Sequence, residues 1–198
     1  MKRVLLVLII GFGATIAFSQ TKMGNYIISA RTNISALFGN NKLEFNGTKV
    51  KTGESTDISI YPSVGNFLLN NLAVGLRIPI QYSKTVSKDE TQITTSFNLS
   101  PFIQYVFGED NLKPYIMISA GYNYLTLEAS NLYNADKEHY SGISFEGGVG
   151  ILYFINDRVA WDFELAYETG GLSYSSDPNY KYKFSSFKIL SGFSFVLD

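Results

Sequence analysis

The apolar and polar positions alternate most clearly between Gly148 and Glu168. Val159, Trp161, Phe163, Leu165 and Tyr167 interleave with Ala160, Asp162, Glu164, Ala166 and Glu168. A period of two places these sets on opposite faces of an extended strand. Gly148 to Ile155 supplies an incoming strand, and Asn156-Asp157 makes a tight turn tolerant of left-handed backbone. The result is a hairpin with one bulky, aromatic face and one small or acidic face.

The same pattern predicts further strands at about Gly24 to Phe38, Thr56 to Phe67, Leu72 to Ser83, Ile93 to Phe107, Lys113 to Leu127 and Phe184 to Leu197. With the hairpin these make eight. Their connections are of two kinds. Asn70-Asn71, Asp110-Asn111 and Asn156-Asp157 are tight turns. Gly39 to Ser55, Lys84 to Gln92, Glu128 to Ser141 and Thr169 to Lys183 read as long polar loops. Short turns at one end and long loops at the other are the plan of a transmembrane barrel. The expected fold is therefore all-β, an eight-stranded antiparallel up-and-down transmembrane β-barrel.

Face chemistry supports a membrane barrel over a soluble one. The face opposite the aromatics is rich in Gly, Ala and Ser, among them Ser63, Gly65, Gly75, Ser119, Gly121, Gly148 and Gly192. Such residues fit the cramped lumen of an eight-stranded barrel, which side chains alone can fill. Trp161, Phe163, Phe97, Tyr122 and Phe193 are too bulky for that lumen and belong against lipid. Composition agrees: 198 residues are 15% aromatic and only 17% charged, against about 25% charged in soluble domains. Absence of Cys excludes a disulfide framework, and the near-neutral balance leaves no basic patch for nucleic acid.

The N-terminus reads as a targeting segment. Lys2-Arg3 precede an apolar run from Val4 to Phe18, too short for a membrane helix, and Ala17-Phe18-Ser19 resembles a cleavage site. The expected division is a cleaved signal peptide at 1–19 and a single outer-membrane barrel at 20–198. Losing Lys2 and Arg3 makes the mature chain more acidic than the formal −1 of the whole.

The phrases Pro62-Ser63-Val64-Gly65-Asn66-Phe67-Leu68-Leu69-Asn70-Asn71-Leu72-Ala73-Val74-Gly75-Leu76, Ser100-Pro101-Phe102-Ile103-Gln104-Tyr105-Val106-Phe107 and Gly148-Val149-Gly150-Ile151-Leu152-Tyr153-Phe154-Ile155-Asn156 resemble the small outer-membrane β-barrel family related to OmpX and the OmpA transmembrane domain. The resemblance spans the mature chain and implies an outer-membrane location. It also implies roles such as adhesion or envelope integrity. Such barrels usually end in an aromatic residue read by the assembly machinery; this chain departs from that, ending Phe195-Val196-Leu197-Asp198.

Candidate chemistry is sparse. His139 is the only histidine, which excludes a multi-histidine metal site. His139 and Ser141 form an H-x-S pair like that of small outer-membrane lipid deacylases, with Glu138 and Glu146 the nearest carboxylates. In a polar loop the pair reads as ordinary, and no enzyme and no cofactor are expected. Glu128, Asp136 and Glu138 could meet divalent cations bridging lipopolysaccharide, but read more simply as a solvated loop.

Charges on the inner face are another matter. Arg31, Arg77, Asp162 and Glu164 fall at mid-height, Lys188 lies near the level of Glu168, and Glu146 stands above mid-barrel. Unpaired charges in a narrow lumen are costly. A plug is predicted in which Arg31 meets Glu164, and Asp162 or Glu164 reaches Arg77. Phe102, Met117, Leu152 and Leu190 add inward bulk. Tyr82, Tyr122, Tyr124, Tyr153, Phe154 and Tyr167, near strand ends, read as an aromatic girdle at the membrane interfaces. The expected function is a structural or interaction role for a monomer in bilayer and lipopolysaccharide, with an extracellular protein or glycan meeting the loops 39–55, 128–141 and 169–183. The alternative is a small-solute or hydrophobic-ligand conduit.

Overall fold

The computed structural model describes residues 20–33, 42–45, 48–51, 54–86, 90–108, 110–131, 135–175 and 181–198. The expected signal segment 1–19 and the far end of the first expected strand, Ile34 to Phe38, lie outside the described residues. Among the described residues eleven strands are formed: β1 (Tyr26–Asn33), β2 (Lys42–Phe45), β3 (Thr48–Lys51), β4 (Glu54–Leu69), β5 (Leu72–Arg77), β6 (Ile80–Val86), β7 (Glu90–Val106), β8 (Leu112–Asn131), β9 (Ala135–Phe154), β10 (Val159–Tyr174) and β11 (Lys181–Leu197). Each pairs antiparallel with its neighbour, and β1 bonds both β11 and β4, so the sheet closes on itself.

The wall has eight staves because β5 and β6 are one strand. Ser63 faces Arg77 and Ile60 faces Ile80 across β4, and the same register continues against β7. The interruption falls at Ile78-Pro79, opposite Pro62. Proline has no N–H to give a ladder, so bonds are lost there while the direction holds. Ile78 still donates to the Pro62 carbonyl at 2.9 Å, and the Pro79 carbonyl still accepts from Asn98 at 3.0 Å.

Two expectations about the connections are corrected. Gly39 to Ser55 is not simply a loop, because β2 and β3 pair within it as a separate hairpin. The other three long connections are mostly strand: β8 runs to Asn131, β9 begins at Ala135, β10 reaches Tyr174 and β11 begins at Lys181. Polar content marked these stretches as loops. Yet Thr85, Val86, Thr91, Tyr140, Tyr174 and Tyr182 within them are good strand formers, and each has a partner strand beside it. β8 and β9, at 20 residues each, far exceed the ~9–11 a bilayer requires. Their upper parts therefore rise beyond the membrane as a hairpin wall.

The tight turns stand where expected. Asn71 takes a φ of 68°, left-handed backbone that Asn tolerates. The Asn156 side-chain oxygen accepts from the backbone of Arg158 and Val159, each at 2.9 Å. Thr21, fully buried, ties the N-terminal segment to the first turn: its carbonyl accepts from the Asn71 N–H at 2.8 Å.

Inside and outside are inverted relative to a soluble barrel. Exposed large apolar residues cover the outer face, for example Ile28, Val64, Ile103, Ile118, Phe145, Trp161 and Phe193. Arg31, Arg77, Asp162, Glu164 and Lys188 are buried within. Near the turn end an apolar layer including Ile27, Phe67, Phe102, Met117, Leu152 and Val196 seals the lumen.

Glycine makes that interior possible where a ring must pass close to the wall. Gly150 lies opposite Tyr115, and a Cβ there would stand 2.3 Å from the ring. Gly150→Ala is expected to cost about 1–3 kcal/mol through overpacking. Gly147→Ala, with nothing within 4 Å of the added carbon, should be near neutral. Urea unfolding in lipid vesicles checks both; equal midpoints for the two variants would contradict the placement of Tyr115.

Candidate functional site

The inner face is built by parity. On β10, Asp162, Glu164 and Glu168 share the face of Ala160 and Ala166; on β9, Glu146 shares that of Leu152. Arg31 comes from β1, Arg77 from β5 and Lys188 from β11, so the charges converge on one axis from five strands.

Glu164 is the hub. Arg77 grips it with a two-pronged fork, Nη1 to Oε1 at 3.1 Å and Nη2 to Oε2 at 3.0 Å. Arg31 Nη1 donates to Oε2 of the same carboxylate. The Tyr115 hydroxyl lies 2.8 Å from both Glu164 Oε2 and Asp162 Oδ1, and with one proton it donates to one of them at a time. Asp162 also faces Arg31 at 3.5 Å and accepts from the Ser194 hydroxyl at 2.7 Å. Going up the axis, Arg77 bonds Glu146 at 2.5 Å, and Lys188 joins Glu146 at 2.8 Å to Glu168 at 2.5 Å. Lys188 also stands 5.3 Å from the centre of the Tyr61 ring, whose hydroxyl accepts from Gln81 at 3.0 Å. Arg31 Nε and Arg77 Nε have no hydrogen-bond partner among the described residues.

The six charged residues expected in the lumen thus meet in one connected layer. Phe102, Met117, Leu152 and Leu190 are buried inward beside it. Reading the charges alone missed Tyr61, Tyr115 and Lys113, all buried. Parity would have found them: Tyr61 shares the face of Ser59 and Ser63, and Lys113 and Tyr115 that of Met117.

An outer face this apolar around an ionic interior points to a bilayer, and the comparison with known families agrees. Residues 4–195 match the outer membrane protein beta-barrel domain family. The chain belongs to that family. It is an outer-membrane β-barrel protein. No curated protein matches its sequence. Among solved structures, neisserial surface protein A is 16% identical with a TM-score of 0.50, over 87% of this chain and 96% of that one. OprG from Pseudomonas aeruginosa is 14% identical with a TM-score of 0.49, over 91% and 99%. Ail of Yersinia pestis is 10% identical with a TM-score of 0.49, over 88% and 99%. At such identities the likeness concerns the fold alone.

In this outer-membrane barrel the outward face meets lipid. Tyr122, Tyr124, Tyr153 and Tyr167 are exposed there and Tyr82 partly so. Phe154 is a correction. It is 3% exposed and faces the lumen beneath Lys113, whose amine lies 6.0 Å from its ring centre. Alternation continues through Leu152-Tyr153-Phe154, so two adjacent aromatics cannot both face lipid.

The minor candidates separate. The His139 ring nitrogen pairs with the Tyr124 hydroxyl at 2.9 Å on the outer face, stacked on that ring, whereas Glu146 is committed to Arg77 and Lys188 inside. Glu128 bonds Lys137 at 2.5 Å, which holds the exposed amine above its ordinary pKa. Glu138 accepts from the Tyr140 hydroxyl at 2.7 Å. The side chain of Asp136 lies outside the described residues.

Removing the hub tests the layer. Glu164→Ala leaves two buried guanidinium groups short of their shared carboxylate and should cost about 3–5 kcal/mol. Tyr115→Phe, which removes one hydroxyl, should cost about 1–2 kcal/mol. Trp161, the only tryptophan, reports unfolding in vesicles by its fluorescence. A Glu164→Ala midpoint equal to the parent's would dissolve the hub.

Proposed function

We propose that this protein is a closed, monomeric outer-membrane barrel that works at its loop end, as a structural or adhesive component of the envelope. The observation that carries the reading is Arg77. Fully buried, it reaches from β5 to Glu164 on β10 and Glu146 on β9, a bridge across the lumen at mid-height. The apolar layer beneath it supports the same reading. The protruding β8–β9 wall and the β2–β3 hairpin offer surface for a partner in the extracellular space or in lipopolysaccharide. Residues 1–19 act as a cleaved signal peptide, and the tight turns with both mature termini face the periplasm. The tyrosines Tyr82, Tyr122, Tyr124, Tyr153 and Tyr167 anchor the barrel at the two interfaces. No catalysis is proposed, since His139 and Glu146 lie on opposite faces of the sheet.

A planar bilayer tests the closed lumen. The reconstituted protein should give no steady conductance, because open aqueous channels belong to barrels of about 16–18 strands. A large, stable current would favour the alternative, a small-solute conduit.

Protease treatment of intact cells tests the orientation. Cleavage between Gly39 and Ser55, with Asn70-Asn71 and Asn156-Asp157 spared, is the expected pattern; the reverse pattern would invert the barrel.

A further inference from the structure

Above the Lys188–Glu168 pair the lumen widens into a cup of about 280 Å³ at the loop end. Its wall is two-sided. Leu172 on β10 with Tyr182 and Phe184 on β11 makes an apolar side, while Gln81 on β6, Ser96 on β7 and Asn123 on β8, beside Leu125, contribute amides and a hydroxyl. Tyr182 lines the cup yet is 57% exposed, which leaves its ring free to be covered. The Asn123 amide nitrogen is the opposite case, shielded from solvent and without a hydrogen-bond partner among the described residues. Buried donors of this kind are normally satisfied. The charges of the floor are engaged, because Lys188 and Glu168, the charged residues of the lining, are bonded to each other at 2.5 Å and Lys188 also bonds Glu146 below.

These features select a ligand chemistry. An ion would have to displace one member of the Lys188–Glu168 pair or sit beside its like charge. A wholly apolar guest would cover that pair and the Asn123 amide while compensating neither. A pyranose meets both halves at once. Its C–H face packs on an aromatic ring, and its hydroxyls both donate to and accept from amides and carboxylates. The volume lies just under the ~300–1,000 Å³ typical of sites for drug-sized ligands, enough for one sugar ring and little more.

We propose that the cup is a binding site for a single neutral pyranose, either a free sugar or the terminal unit of a glycan. The proposal deepens the interaction role above and rests on it, since a conducting lumen would have no floor.

The test uses the intact barrel in zwitterionic micelles, free of sugar detergents, and saturation-transfer NMR with glucose, galactose, mannose and N-acetylglucosamine. At least one should bind with a Kd on the order of 1–10 mM, its ring C–H protons receiving the strongest saturation. Tyr182→Ala and Asn123→Ala should each weaken that binding about fivefold or more, the effect of losing one modest contact. Tyr122→Ala, on the lipid face, should leave it unchanged. Heat-shifted gel mobility confirms that each variant is folded. Methyl glycosides divide the sources: retained binding assigns the site to a glycan end, and lost binding to the free sugar. No saturation of any of the four sugars overturns the proposal, as does undiminished binding by folded Tyr182→Ala and Asn123→Ala. Silent bilayers together with absent sugar binding would leave the closed barrel standing and remove only the cup.

Discussion

Among the described residues four carboxylates and four cationic side chains, Lys113 included, are buried inside this barrel, and the mid-height of the lumen is arranged around pairing Arg31, Arg77 and Lys188 with Glu146, Asp162, Glu164 and Glu168. A lone buried charge costs several kcal/mol even after relaxation, and the attraction between partners offsets this only with good geometry and further hydrogen bonds. Glu164 illustrates the requirement. It receives the Arg77 fork, an Arg31 nitrogen and the Tyr115 hydroxyl. Tyr115 can reach that point only because Gly150 has no side chain opposite it. A glycine in one strand, a tyrosine in the next and a carboxylate in a third are thus a single device.

The ionic layer need not be the most stabilising filling for such a space; apolar residues of similar volume often do as well. It does discriminate between registers. A one-residue slip of β10 would carry Asp162 and Glu164 into lipid and drive Trp161 and Phe163 into the lumen, because the side-chain period is two. Both halves of that exchange are unfavourable. Strands that are apolar outside and equally apolar inside would carry no such penalty, and neighbouring registers would compete.

That same period is why so much could be read from sequence. Arg31, Arg77, Asp162 and Glu164 share a face and a height by counting from the turns, so their convergence follows once the sheet is known to close. Tyr115 and Phe154 were less legible because hydrophobicity competes with parity: an aromatic near a strand end resembles a girdle residue, and only unbroken alternation assigns it inward. Lys113 was overlooked as a strand end. The strand tops failed for a different reason. Polar residues such as Thr91, Ser141 and Lys183 imply solvent, and solvent reads as loop; above the bilayer a sheet can be polar on a face and still be a sheet. The β2–β3 hairpin is different again, because its signal is present in the sequence: Lys42-Leu43-Glu44-Phe45 alternates, and Asn-Gly stands at 46–47 between Phe45 and its partner Thr48, but the high polar content of the stretch outweighs it.

The order of layers along the axis also follows from their chemistry. At the turn end, Phe67, Val106, Leu152 and Val196 exclude water from below. The ion pairs above them consequently sit where screening by dissolved salt is weak, and each contact counts for more than it would at a surface. Moving upward, Glu146 is shared between Arg77 and Lys188, and Lys188 in turn is shared with Glu168. The last pair is the first to meet the open cup. A perturbation of Glu168 from the loop end therefore has a covalently unbroken wall but only a short relay of four charged contacts between itself and the hub. Because Lys188 is shared, a group that drew it toward Glu168 would loosen its hold on Glu146 and pass the change to Arg77.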